Sequence, residues 1–192
     1  MTRFITTVDY RTDDFGGITM LYEVKLLTER SELLEAYSLV YDNYVETGYI
    51  SSNPLGLRIR EEFELGWNIN TFGGFRDGEL VGVLSVIKDS DIGLPSDKTH
   101  DLREFRVLGG GLCEVSNLVI KRGEDLFLQM ICYIREWAFG MGIKMAWVVV
   151  SPSHVHYFTK RLGFIKIGDE YRYENGDIVQ GMLLTMEQWV LL

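Results

Sequence analysis

Between residues 124 and 139, Leu126, Phe127, Met130, Ile131, Ile134, Trp137 and Ala138 recur at helical spacing. They form one broad apolar face and predict a helix that ends at Gly140 and Gly142. The stretch after it, KMAWVVV at 144–150, shows no alternation. A continuous apolar run of that length suits a strand covered on both faces. The stretch before it, 112–120, holds Val115, Leu118, Val119 and Ile120 but places Glu114 near its start. Strand, helix and strand in that order predict a β-α-β unit.

The flanking patterns add to this unit. LYEVKLL at 21–27 alternates as a first strand, and Leu33, Leu34, Tyr37, Val40, Tyr41 and Tyr44 predict a helix to about Glu46. Thr28 is the expected cap of that helix and Gly48 its stop. Within 57–67, LRIREEFELGW reads as a short second helix. TFGGFRDGELVGVLSVI at 71–87 predicts a hairpin turning at Asp77-Gly78. A polar connection over 88–111 carries a short helix near 102–107. Ser151-Pro152 opens a helix over 152–162 that stops at Gly163, and strands near 164–170 and 178–186 close the order. The fold class expected is α/β (α+β). Its sheet is mixed and mainly antiparallel, with a central parallel β-α-β unit and helices on both faces.

Composition narrows the class. At 192 residues and 46% hydrophobic the chain suits one domain, 18–192, after a Thr-, Asp- and Gly-rich N-terminal arm at 1–17. No segment reaches the ~18 apolar residues of a membrane span, and the first residues do not form a signal peptide. Net charge is −9 and the pI is about 4.9. Binding of nucleic acid or an anionic membrane over a broad surface is therefore not expected. Cys113 and Cys132 sit in apolar stretches and read as reduced core thiols of a cytoplasmic protein, without the neighbours a metal site needs.

The element order together with SPSHVHYFTKRLGFIKIG at 151–168 resembles the GNAT acyltransferase superfamily. LVYDNYVETGYI (39–50), GLPSDKTHDLREFRVLGGGLCEVSNLVI (93–120) and the His-x-x-Tyr-Phe segment narrow the likeness to the N-acyl amino acid synthases, relatives of the acyl-homoserine lactone synthases. The likeness covers roughly 21–186. It implies transfer of a long-chain acyl group from an acyl carrier protein thioester to a small amine such as an amino acid. It implies no permanently bound cofactor. An acyl-phosphopantetheine thioester is the co-substrate, on the carrier protein rather than on coenzyme A. The acyl chain would lie in a cleft between strands 112–120 and 144–150, with Val115, Leu118 and Val149 on the donor side.

The family pattern Glu-x-Ser-Arg reads here as Glu114-Val115-Ser116-Asn117. Aminolysis of a thioester needs a neutral amine, and Glu114 as general base would supply it. The alternative is a strand-end glutamate paired with Arg103 or Arg106, or exposed. Ser116 shares the face of Glu114 and would hydrogen-bond the acyl oxygen, position the amine, or only pack. Asn117 departs from the family arginine, which argues against lactone synthesis.

Acetyl-CoA users of the superfamily hold pyrophosphate on a Gly-rich loop at a helix N-terminus. Here only Lys121-Arg122-Gly123 remains, and Glu124 and Asp125 complement the helix dipole themselves. A carrier protein brings one phosphodiester and an acidic surface. Lys121, Arg122, Lys160 and Arg161 are its expected basic contacts, with Lys144 added, or are ordinary solvated charges.

Family members use a tyrosine on the last helix to protonate the leaving thiolate. Tyr157 is the candidate, displaced by about 100° around the helix because the order here is Tyr-Phe; core packing is its other reading. His154 matches a family histidine and would contact the donor, or serve at the surface or as a cap. His156 falls in the same turns. His100 carries no argument. Tyr41, Tyr44 and Arg58, with Tyr49 and Arg60 near them, are expected on the acceptor side, where an arginine fork suits a carboxylate. Two further readings stand: a different amine acceptor or donor, as in lactone synthesis or CoA-dependent N-acetylation, and a lapsed fold that only binds acyl chains or a carrier protein. Unmatched aromatic surface could serve a homodimer.

Overall fold

The computed structural model describes residues 22–64, 68–121, 123–173, 176–185 and 188. The arm expected at 1–17, Arg122, and the end of the second predicted helix at 65–67 lie outside them. The described elements begin with β1 (Glu23–Leu26), α1 (Arg30–Glu46), α2 (Glu61–Glu64), β2 (Ile69–Arg76), β3 (Glu79–Lys88) and α3 (Arg103–Val107). They continue with β4 (Leu112–Ile120), α4 (Glu124–Gly140), β5 (Met145–Val150), α5 (Val155–Leu162), β6 (Ile165–Lys166), β7 (Tyr171–Arg172) and β8 (Ile178–Thr185). Short 3-10 turns stand at Pro95–Lys98 and Pro152–His154. Hydrogen-bonded order in the sheet is β1-β2-β3-β4-β5-β8-β6, with β7 on β8. The β4–β5 pair is parallel, whereas β1–β2, β5–β8, β6–β8 and β7–β8 are antiparallel. This is the mixed, mainly antiparallel sheet with a β4-α4-β5 unit that the apolar patterns predict.

Packing divides the described residues into two compact units: those up to Ser85 with those from Asn117 to Glu136, and those from Val86 to Ser116 with those from Trp137 on. In the first, Ala36 and Val40 of α1 pack with Leu27, Phe75, Leu80, Val83 and Val119. Neighbouring strand positions point to opposite faces, so Gly74, beside Phe75, faces away from α1. A Cβ at Gly74 would lie 2.6 Å from Leu126, and one at Gly82 2.9 Å from it. These glycines admit the first turns of α4, and the two helices cover opposite faces of β2 and β3. The hairpin turns where expected, with Asp77 at φ 53° and Gly78 at φ 81°, the positive angles of a two-residue type I′ loop.

In the second unit, β5 buries Met145, Ala146, Trp147, Val148 and Val150, as its unbroken apolar run requires. Trp147 lies over Gly181 of β8: a Cβ there would sit 2.4 Å from the indole ring. Phe105 of α3 tilts on the same ring at 5.9 Å. Helix α5 stops at Gly163, φ 71°.

Several local expectations change. The N-cap of α1 is Glu29, with no side-chain cap bond, not Thr28. Of the second helix, read over 57–67, the described part is Glu61–Glu64. The last helix opens as the 3-10 turn Pro152–His154 before α5. There the Ser151 hydroxyl bonds Ser153 and His154 rather than capping the backbone. The strand expected at 164–170 shrinks to Ile165–Lys166, and β7 follows it. Cys113 is buried as expected, but Cys132 is exposed on α4 and is not a core thiol. No helix among the described residues is long and apolar enough to cross a membrane.

Candidate active site

Strand β4 enters beside β5, pairing Leu112, Cys113, Glu114 and Val115 with Met145, Ala146, Trp147 and Val148. Glu114 is only 5% exposed. A carboxylate so deep in a protein must be hydrogen-bonded, and the backbone N–H of Ser96 donates to its Oε2 at 2.9 Å. Ser96 belongs to the 3-10 turn that follows Leu94-Pro95. That turn is clamped. Asp97 accepts from the Leu94 N–H at 2.7 Å, and Arg106 of α3 spans Asp97 at 2.6 Å and Asp89 at 2.7 Å. The Arg106 guanidinium holds the Asp97 carboxyl below the usual carboxylate range. Both arginines considered as partners of Glu114 are thus occupied elsewhere, Arg106 here and Arg103 on Asp101. Next to Glu114, burial pushes the Cys113 thiol up to about 12, with the glutamate charge adding to it, so Cys113 is no nucleophile.

The parallel ladder comprises those four pairs and stops at Val115. Two residues on, Asn117 takes φ 50° inside the strand, the left-handed region that asparagine tolerates better than most L-residues. A left-handed residue within a strand marks a bulge. Its Nδ2 donates to the Ser85 hydroxyl at 3.3 Å, and Ser85 bonds Thr71 across the hairpin at 2.9 Å. Past the bulge, the Lys121 N–H donates to the Val81 carbonyl of β3. Asn117 therefore fills a left-handed, buried position where it bonds another strand. Ser116, between the ladder and the bulge, is half-buried.

Trp147 is the register partner of Glu114, so their side chains share a face. His100 stands edge-on to that indole at 5.2 Å. Burial lowers the His100 imidazole below its ordinary range. Its Nε2 and the Trp147 Nε1 are both buried without a hydrogen-bond partner. The sequence gives no signal for this pairing, because residue 100 lies in the polar connection and residue 147 in a strand.

Of the acceptor-side candidates, Tyr41 is committed to a turn: its hydroxyl donates to the Asn53 carbonyl at 3.2 Å and accepts from the Asn53 N–H at 3.1 Å. Tyr44 stands edge-on to Tyr49 at 5.6 Å. Burial raises its phenol, while the charges of Arg60 and Arg58 and a hydrogen bond with the Leu118 backbone oppose that shift. Arg58 and Arg60 are half-buried, and their Nε atoms lack partners. Burial and the neighbouring Arg60 charge lower Arg58. Tyr44, Arg58 and Leu118 thus come together, and Arg60 joins them.

The donor-side candidates are spread along the chain. Val115, Leu118 and Val149 are half-buried, while Lys121, His154 and Lys160 are exposed. Gly123 takes φ 86°, and a Cβ on it would lie 3.2 Å from the Tyr22 hydroxyl. The His154 ring bonds Ser151 at 3.1 Å. Tyr157 is half-buried and edge-on to Phe158 at 6.3 Å.

Comparison with known proteins follows the same lines. The family model described as N-acyl amino acid synthase FeeM matches residues 35–187. No curated protein matches. Among solved structures, FeeM, an N-acyl amino acid synthase from uncultured soil microbes, is 23% identical, with TM-score 0.77, over 89% of this chain and 94% of that one. The acyl-homoserine lactone synthase LasI is 15% identical, with TM-score 0.64, over 89% and 95%. A putative N-acetyltransferase from Lactobacillus plantarum is 12% identical, with TM-score 0.64, over 86% and 98%.

Proposed function

The chain belongs to the N-acyl amino acid synthase FeeM family and is an N-acyltransferase, and from that premise we propose that it moves a long-chain acyl group from an acyl carrier protein thioester to the amino group of an amino acid. Glu114 carries this reading: a buried carboxylate at the head of β4, fixed by the Ser96 N–H. An α-amino group has a pKa of about 7.7–8.0 and is largely protonated at neutral pH. Glu114 takes that proton, directly or through water. The nitrogen then bonds the thioester carbonyl carbon, the C–S bond breaks, and the thiolate leaves and is protonated. General base help of this kind is typically worth ~10²–10⁴-fold.

An amino acid acceptor is supported by Arg58 and Arg60, half-buried guanidiniums with unpartnered Nε atoms, which suit a carboxylate. A carrier protein donor is supported by the turn before α4. Gly123 is its one glycine, and Asp125 stands exposed in the first helical turn, where a pyrophosphate would meet like charge. Exposed Lys121 and Lys160 offer contacts to an acidic carrier.

The test supplies hexadecanoyl acyl carrier protein or hexadecanoyl-CoA with a mixture of the standard amino acids and follows products by mass spectrometry. The expected result is N-hexadecanoyl amino acids, formed faster from the carrier protein. Equal rates from both donors would remove the carrier-protein assignment, and transfer of acetyl groups alone would remove the long-chain reading.

A further inference from the structure

Ser96 holds two candidate bases at once. Its N–H donates to Glu114 at 2.9 Å, and its carbonyl accepts from the backbone N–H of His100 at 2.8 Å. The same carbonyl accepts the Thr99 hydroxyl at 3.2 Å. A threonine hydroxyl has one proton to give; in the tautomer where that proton goes to the Ser96 carbonyl, the 2.8 Å contact between Thr99 Oγ1 and His100 Nδ1 runs from Nδ1–H to oxygen. That tautomer leaves Nε2 with a bare lone pair, and Nε2 is buried without a partner. Trp147, whose backbone registers with Glu114 and whose ring meets His100, has its Nε1 orphaned as well. Leaving a buried polar atom unmet is costly. Two of them on neighbouring rings, one ring belonging to the register partner of a buried carboxylate, mark a place built to receive polar groups.

Resting on the acyl-transfer reading above, we propose that His100, through Nε2, is a second proton acceptor for the amine, working beside Glu114. The proton count calls for two departures. The ammonium loses one proton to become a nucleophile. After the nitrogen bonds the carbonyl carbon it is positively charged and loses another as the C–S bond breaks. The thiolate takes one proton back and one passes to solvent. Glu114 and His100 each receive one of the two. Around His100 the 3-10 turn and its following residue present Ser96 and Thr99, β5 presents Trp147, β8 presents Gly181, and β7 presents Tyr171 at 6.1 Å. Asp101 and Arg103, the adjacent charges, pair with one another. Burial keeps the imidazole neutral at pH 7, the state a base requires.

The experiment measures kcat and kcat/KM against pH for wild type and His100→Gln, with hexadecanoyl acyl carrier protein and the amino acid that wild type prefers. Loss of His100 is expected to lower kcat by ~10²-fold or more and to displace the acidic limb of the profile, and added imidazole is expected to restore part of the rate of His100→Ala. A His100→Gln rate within about threefold of wild type, with the same acidic limb, would overturn the role. The wild-type imidazole NMR signals give a check that needs no foldable variant. Adding the amino acid should move one of the three histidines and adding its N-acetyl form should not; silent histidines would overturn the role too. Wild type that acylates no amine removes the acyl-transfer reading itself, whereas wild-type turnover with an indifferent His100→Gln removes only this inference.

Discussion

Glu114 and Ser96 are joined by a hydrogen bond of 2.9 Å in which a backbone N–H donates to the carboxylate. The bond ties the head of a central strand to a 3-10 turn in the connection ahead of it. Because the donor is main chain, the side chain at 96 does not set it. The conformation of the turn does, and that conformation is held by Asp97 and Arg106.

Asp97→Asn tests this clamp through pH. Arg106 lowers the Asp97 carboxyl below its usual range. As pH falls through the ordinary carboxylate range near ~4, the unfolded chain takes up this proton before the folded one does. The stabilisation is therefore complete above that range and is lost as pH falls through the lower, folded value. Urea midpoints measured from neutral to acidic pH should show the variant weaker at neutral pH and the gap closing on acidification. A constant gap would contradict the clamp.

Asn117 sits at φ 50° in β4 with its amide on Ser85. Asn117→Val puts a β-branched side chain in the left-handed region and removes the bond. The expected loss is about 1–3 kcal/mol of unfolding free energy. Asn117→Gly, free of the steric penalty, should fall between wild type and the valine variant. Denaturant unfolding of the three proteins checks the order.

Gly181→Ala inserts a Cβ 2.4 Å from the Trp147 ring. The indole ring and the His100 ring, 2.9 Å from the same Cβ, are both rigid, so overpacking should cost about 1–3 kcal/mol. The displaced indole should also change its fluorescence. An unchanged unfolding midpoint would mean that the ring does not lie across β8.

Arg58→Gln and Arg60→Gln examine acceptor choice. If these guanidiniums receive a carboxylate, each variant raises KM for the amino acid about 10-fold or more while kcat for the same substrate holds. Amino acid methyl esters should then be equally poor substrates for wild type and variants. Esters used as readily as free acids by wild type would place the arginines in another role.

The elements with the strongest periodicity were the most legible. The apolar face of α4, the unbroken run of β5 and the Asp77-Gly78 turn each carry one local signal with one physical cause, and the structure has all three. Glu114 stood out for the same reason, as a charge inside an apolar strand. Features made by contact between distant segments were not readable. His100 gains its setting only from Trp147 on β5 and Tyr171 on β7, and nothing at position 100 announces either. The bulge at Asn117 was visible only as a departure from a family residue, without its cause. Thr28 failed as a cap because the helix starts at Arg30, which leaves the extended Glu29 (φ −81°, ψ 136°) at the cap, and cap rules cannot choose between adjacent residues.

Lipid extracts of a host expressing wild type or Glu114→Gln, compared by mass spectrometry, decide whether Glu114 is the base. The glutamine can still accept the Ser96 N–H through its amide oxygen but cannot take a proton, so the variant should fold like wild type. New N-acylated amino acids in the wild-type extract that drop by ~10²-fold or more in the variant are the predicted result. The same products at equal levels from a folded Glu114→Gln protein would contradict it.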